Sequence, residues 1–277
     1  MKRLIVTSDD FGAAVAVNEA VEQAHRTGIL TAASLMVSGD AAADAVARAI
    51  TMPKLGVGLH VVLVEGRPTL PPEQLSELVD TTGHFRTDMV RAGITIFASP
   101  TARRQLLAEV EAQFAAFAAT GLPLDHVNAH KHFHLHPTIA SAILRVGKRY
   151  GMKSVRAPIE PRDVLRRIEP DTRGIDVARL WALLVRRRMR AAGMTVPDQV
   201  FGLAWSGAMD AGRMRGLIDR LPKGLTEIYT HPATDDHYPA HAPGYAYRDE
   251  LAALIDPLAR EAISRDRIAL GSFTDFA

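Results

Sequence analysis

Eight short apolar runs alternate with helix-patterned segments along the chain: LIVTS, TAASLMV, GVGLHVVLV, LDHVNAH, SVRAP, QVFGL, TEIYTH and RIALGSF. Parallel strands need long crossover connections, usually helical, so repeated βα units argue a parallel sheet covered by helices. The count predicts an α/β fold, a distorted (β/α) barrel, in a single domain spanning residues 1–277. No internal repeat or low-complexity tract interrupts it.

Punctuation residues mark the helices. Residues 14–27 place Val17, Ala20, Val21 and Ala24 on one face, with Gly28 as the stop. A second helix is expected over 40–50. A Pro- and Gly-rich excursion fills 66–85. Ser99-Pro100 reads as an N-cap followed by proline at N1, opening a helix with Leu107, Val110, Phe114 and Phe117 inward and Gly121 at its end. Pro137 opens another, with Ile139, Ile143, Val146 and Tyr150 inward and Gly151 as the stop. Residues 176–192 read as helical within an arginine-rich stretch, 162–190. Further helices are expected near 210–220 and 245–263.

Composition narrows the chemistry. The chain has no cysteine, which excludes disulfides, thiolate ligands and a cysteine nucleophile. Any metal site must use His nitrogen and carboxylate oxygen. A net charge of +2 gives no reason to invoke nucleic acid. The N-terminal MKRLIVTSDDFG is too short for a signal peptide, and no run approaches the roughly 20 apolar residues of a membrane span. A soluble cytoplasmic protein is expected.

Unusual polar residues fall at strand ends. Asp9 and Asp10 close the first run, and Gly12 lets the chain turn. His60 sits near the exit of the third, Arg156 lies on the fifth, and His231 ends TEIYTH. In parallel α/β folds, active sites lie at the carboxyl ends of the strands. Taken singly, each has a plainer reading: a turn carboxylate, a hydrogen-bonded core histidine, an Arg156–Glu160 pair. Together, Asp10, His60 and His130 can supply one carboxylate and two imidazoles, a facial metal site with open positions.

NAHKHFHLHP, residues 128–137, holds four of the chain's eleven histidines at alternate positions. On an extended segment they would share one face. His130 comes first, where the strand leaves the barrel, and is the expected ligand. His132 and His134 would rise above the rim to line a substrate cleft or support the ligands. His136, before Pro137, would end the loop.

These motifs resemble the YdjC-like carbohydrate deacetylases, across essentially the whole chain. That family pairs DDFG, GLH, an HxHxH run and a late HP, here Asp9 to Gly12, Gly58 to His60, His130 to His134, and His231-Pro232. The phrases GLHVVLVEGRP, FRTDMVRAG and GLPLDHVNAHKHFHLHP look most like its hopanoid-biosynthesis-associated branch (HpnK type). One departure stands out: many members carry an aspartate where this chain has Asn128.

The resemblance implies a barrel of the polysaccharide-deacetylase-like kind and hydrolysis of an N-acetyl group on an amino sugar. The implied substrate is an N-acetylglucosaminyl hopanoid glycolipid. Asp10 would be a metal ligand with His60 and His130, Asp9 the general base, and His231 the acid that protonates the departing amine. Arg156, His132, His134 and Asn128 would orient these groups or hold substrate. One divalent ion is implied, zinc favoured on donor chemistry, magnesium or another ion as alternatives. Such an ion lowers the pKa of bound water from about 15.7 to about 7 and polarises a carbonyl. No GxSxG elbow supports an acyl-enzyme route.

Alternatives remain at this level. A deacetylase of soluble chito-oligosaccharides, another metal-dependent barrel hydrolase, and a silent sugar- or lipid-binding barrel are each open. The order of motifs, with aspartates on the first strand and HxH past the midpoint, argues against an amidohydrolase. Oligomeric state is open, with a homodimer as one option. A helix over 177–190 puts Val177, Leu180, Trp181 and Leu184 on one face and Arg179, Arg186 and Arg190 toward the other, with Arg187 and Arg188 nearby. It packs inward as a barrel helix or contacts the cytoplasmic face of the inner membrane as a peripheral element.

Overall fold

The computed structural model describes residues 1–172 and 179–277. The start of the expected 176–192 helix, with Val177, lies outside these residues. The described elements run β1 (Lys2–Phe11), α1 (Val15–Thr27), β2 (Ala32–Leu35), α2 (Ala42–Ile50), β3 (Gly56–Val61), α3 (Met89–Ala98) and α4 (Pro100–Ala119). They continue through β4 (Val127–Ala129), α5 (Pro137–Arg149), α6 (Arg162–Ile168), α7 (Arg179–Ala191), β5 (Gln199–Phe201), α8 (Ala211–Asp219), β6 (Gly224–Thr230), α9 (Tyr247–Ile255), α10 (Pro257–Arg265) and β7 (Ala269–Leu270).

All named strand pairings are parallel, in the order β4-β3-β2-β1-β6-β5. β1 is central and buried over Leu4 to Asp9, as expected for a strand covered on both faces. β7 pairs with its first residues, Arg3 and Leu4. The sheet curls. Val127 bridges to Val155, Ser154 to Thr195, and Val200 N–H donates to Ile159 O at 2.9 Å.

The eight regular strands expected from the sequence are therefore seven among the described residues, and SVRAP forms only isolated bridges. Pro158 removes a ladder donor from that run, and Ile159 N–H turns back to Ala157 O at 2.9 Å.

The helix stops and starts hold closely. Ser99 Oγ accepts from Ala102 N–H at 3.1 Å and opens α4. Val110, Phe114 and Phe117 are buried as expected, while Leu106 rather than Leu107 completes the inward face. Proline divides the expected 245–263 helix into α9 and α10 at Pro257. α3 is a helix the sequence reading left out.

The histidine run departs most from expectation. Residues His130–Leu135 form a 3-10 segment, with Lys131 and His132 at φ 51° and 54°. Two consecutive left-handed residues end strand alternation, so the four imidazoles do not share a face.

Candidate active site

The site is built on β1. A register shift between Ser8 and Phe11 interrupts its pairing with β2, and Asp10 adopts φ 62°. A left-handed non-glycine residue is uncommon, and asparagine and aspartate tolerate it best. This bulge, rather than plain strand alternation, sends Asp9 and Asp10 apart. Gly12 follows at φ 94°, where a Cβ would lie 3.1 Å from Met36 O.

Asp10 faces the rim. Its Oδ1 lies 3.3 Å from His60 Nε2 and 3.2 Å from His130 Nδ1, and the two nitrogens are 3.4 Å apart. These three residues form a possible metal-binding triad. The donor set suits a divalent ion, one anionic oxygen and two imidazole nitrogens. The tautomer of His60 fits as well: Asn128 Oδ1 can only accept, so His60 Nδ1–H donates to it at 2.7 Å and leaves Nε2 facing the triad. Burial alone would lower the pKa of His60, but the Asp9 and Asp10 carboxylates raise it. Burial would raise that of Asp10, yet His130 and His60 hold it well below the carboxylate range.

Asp9 faces inward and is 2% exposed. Arg156, fully buried, donates Nη1–H to Asp9 Oδ2 at 2.5 Å and Nη2–H to Oδ1 at 2.9 Å. Its Nε–H and Nη2–H also donate to Glu227 Oε1, at 2.9 and 2.6 Å, and its guanidinium lies over the Tyr229 ring. Ser34 Oγ and Asn128 Nδ2 donate to Asp9 Oδ1 at 3.0 and 2.9 Å. Burial pushes the Asp9 carboxyl up, but the Arg156 charge and hydrogen bonds, with His60 and His231, draw it far below its ordinary value. Arg156 therefore orients Asp9 and is sealed from any substrate, and the plainer alternative, a pair with Glu160, does not form. Glu160 instead accepts from the N–H groups of Gly202, Leu203 and Ala204.

Behind Asp9 runs a second row that the sequence reading missed. His126 Nε2 meets Ser34 Oγ at 2.9 Å, and its Nδ1 meets Asp125 Oδ2 at 2.9 Å. The residue types are those of a hydrolytic triad, but Ser34 and His126 are 0% exposed and Asp125 4%. No substrate reaches them, and the row braces Asp9. It also explains the glycine of GLH: a Cβ on Gly58 would lie 2.5 Å from the His126 ring.

His134 is buried, and His132 is half-buried. His132 Nε2 meets the Tyr229 hydroxyl, and His134 Nε2–H donates to Arg156 O, both at 2.9 Å. Burial and the Arg156 charge push His134 down to about 4 and His132 well below the usual imidazole value. His136 N–H bonds Phe133 O at 3.1 Å, and the residue caps the start of α5.

His231 follows β6 directly. Its backbone N–H donates to buried Glu250, whose other oxygen accepts from Met209 N–H at 3.0 Å. Burial raises the Glu250 pKa. The His231 ring sits between Tyr229 and Tyr245, at 5.6 and 5.3 Å, and its Nδ1 is buried without a partner among the described residues. Of the groups missed from sequence, Glu227 left the clearest signal, a carboxylate inside the apolar strand GLTEIYT.

A polar rim at strand ends with a carboxylate–imidazole triad is the arrangement of an enzyme of the parallel α/β class. The chain belongs to the YdjC-like protein family, whose model matches residues 3–265. A carbohydrate deacetylase of Geobacillus stearothermophilus is 30% identical, covering 98% of this chain and 97% of that protein. One from Homo sapiens is 29% identical over 99% and 90% of the two chains. A solved structure from Enterococcus faecalis V583, named for cellobiose-phosphate cleavage, superposes with a TM-score of 0.78 over 100% and 99% of the two chains. At 24% identity it shows the fold alone.

Proposed function

We propose that this chain is a carbohydrate deacetylase that hydrolyses the N-acetyl group of an amino sugar. The observation that carries the reading is the convergence of Asp10, His60 and His130 beside a clamped Asp9 at the strand ends. Full-length relatives named as carbohydrate deacetylases support the reaction class. In the same reading, the curled sheet is a distorted barrel of the polysaccharide-deacetylase-like kind, folded as one domain over 1–277.

Asp10, His60 and His130 would hold one divalent ion, with zinc favoured by the nitrogen-rich donor set. When bound, such an ion is a Lewis acid that activates water and polarises the acetyl oxygen. Asp9 takes the proton of the attacking water. Its pairing with Arg156 favours the ionised form, so Asp9 passes that proton on and returns to the carboxylate rather than keeping it. His231, whose Nδ1 has no partner among the described residues and whose ring has aromatic walls, donates a proton to the departing amine. Asn128, through His60, and Arg156, through Asp9, position these groups. His132 and His134 hold the histidine segment against Tyr229 and Arg156.

The substrate is the N-acetylglucosaminyl head of a hopanoid glycolipid, a reading that rests on sequence phrases such as GLHVVLVEGRP. The enzyme would then work at the cytoplasmic face of the inner membrane. Among the described residues no helix is long and apolar enough to cross one. Acetate release from N-acetylglucosaminyl lipid and from soluble chito-oligosaccharides, before and after chelation and re-addition of zinc, tests the proposal. Release that requires metal is expected; no acetate from either substrate, with metal present, refutes it.

A further inference from the structure

Two apolar helix faces flank the histidine segment. On α3, Val90, Ile94 and Phe97 point to solvent, and on α7, Leu180, Trp181 and Leu184 do the same; all six are 50–73% exposed. Single exposed apolar side chains are ordinary, but a contiguous group of large ones marks an interaction surface.

The two faces meet. A groove of about 360 Å³ lies along α3 and is closed by Phe133 and His136. Another, about 410 Å³, lies along α7 and is closed by Leu135 and Pro137. The ridge between them is thus the continuation of the segment that begins with His130. The surface adjoins the catalytic rim.

Its border is cationic. Arg187 and Arg188 line the α7 groove, Arg91 is exposed on α3, and Arg103 Nη1–H donates to Phe97 O at the end of α3. Among the described residues none of these four has a carboxylate within 4.0 Å. The nearby acid Asp88 caps α3 by accepting from Arg91 N–H at 2.9 Å. A two-fold contact between copies would set this cationic border against itself. An anionic bilayer satisfies both parts, headgroups at the arginines and acyl chains at the apolar ridge.

We propose that α3, α7 and the Phe133–Pro137 ridge form a docking surface for an anionic lipid bilayer. Seated there, the enzyme presents the histidine segment and its rim to headgroups. The inference rests on the glycolipid reading for its biological use, but the surface is tested without it.

The test uses the full chain with vesicles of phosphatidylcholine plus phosphatidylglycerol, and of phosphatidylcholine alone. Wild type is expected to co-sediment with the anionic vesicles, less so as salt rises. Ile94→Ser/Phe97→Ser and Arg187→Gln/Arg188→Gln should each bind about tenfold more weakly or worse. Trp181 is half exposed and the only other tryptophan, Trp205, is buried. A blue shift of emission on anionic vesicles, lost in Trp181→Phe, is therefore expected. Absence of wild-type binding, or binding by both double variants as tight as that of wild type, overturns the proposal. So does a concentration-dependent dimer that Ile94→Ser/Phe97→Ser abolishes, which would assign the surface to a second copy. Acetate release from soluble chito-oligosaccharide should be unchanged in both double variants. Its absence in every protein counts against the deacetylase reading and leaves the vesicle result standing.

Discussion

His60 donates its Nδ1–H to Asn128 Oδ1 at 2.7 Å, and the same Asn128 donates Nδ2–H to Asp9 Oδ1 at 2.9 Å. One amide thus sets the tautomer of a triad histidine and supports the buried carboxylate. An aspartate at this position could do the first but not the second, because an ionised carboxylate only accepts. Asn128→Ala is expected to weaken metal binding by about 10–100-fold, read by calorimetric titration of zinc into apoprotein. Unchanged affinity would remove Asn128 from the site.

The carboxylates of Asp9 and Asp10 are predicted to fail differently. Asp9→Asn should keep its metal and lose about 10²–10⁴ in rate. Asp10→Asn should bind metal weakly and recover part of its activity with excess metal. Elemental analysis alongside turnover separates them; rescue of Asp9→Asn alone would exchange the two roles.

His130→Ala should lose both metal and activity, whereas His134→Gln should keep the metal, since His134 Nε2 is committed to Arg156 O. Full metal occupancy in His130→Ala would exclude it as a ligand.

His134 also predicts an acid limb in stability. Its pKa is pushed down to about 4 from 6.5 by burial and by Arg156. Protonation would place a proton on Nδ1, which has no partner among the described residues. A depressed folded pKa means the unfolded chain binds the proton first, so stability is full above pH 6.5 and falls as pH drops toward 4. The loss is on the order of 3 kcal/mol. Denaturant midpoints between these pH values should show it, and His134→Gln should flatten that part of the curve.

Gly58→Ala is expected to destabilise the protein by about 1–3 kcal/mol, because the new Cβ meets the buried His126 ring rather than a movable chain end. Urea midpoints would show it, and a neutral result would mean the Asp125–His126–Ser34 row can shift without harm.

How much of this could be read in advance follows from where the information lies. The ends of α4 and α5 were legible because Ser99-Pro100, Gly121, Pro137 and Gly151 act on their own neighbours. α3 was not. Its sequence MVRAGITIFA carries a central glycine and β-branched residues, and its apolar residues Val90, Ile94 and Phe97 face solvent, so no inward stripe announced it. The alternating histidines were misleading for a related reason. Strand periodicity assumes extended backbone, and Lys131 and His132 leave it together.

The sequence by itself determined the parallel α/β alternation, the ends of helices such as α4 and α5, and the kinds of donor available: carboxylate and imidazole, with no thiolate. Only the tertiary structure decided which of them meet. Asp10 and His130 are 120 residues apart in sequence, and Asp9 and Arg156 are 147 apart. Their contact depends on β1 lying between β2 and β6 and on the curl that carries Arg156 under Asp9. Local patterns carry the geometry of a turn or a strand. The sheet's order and curvature come from burying all the apolar faces together, and no short stretch of sequence contains them.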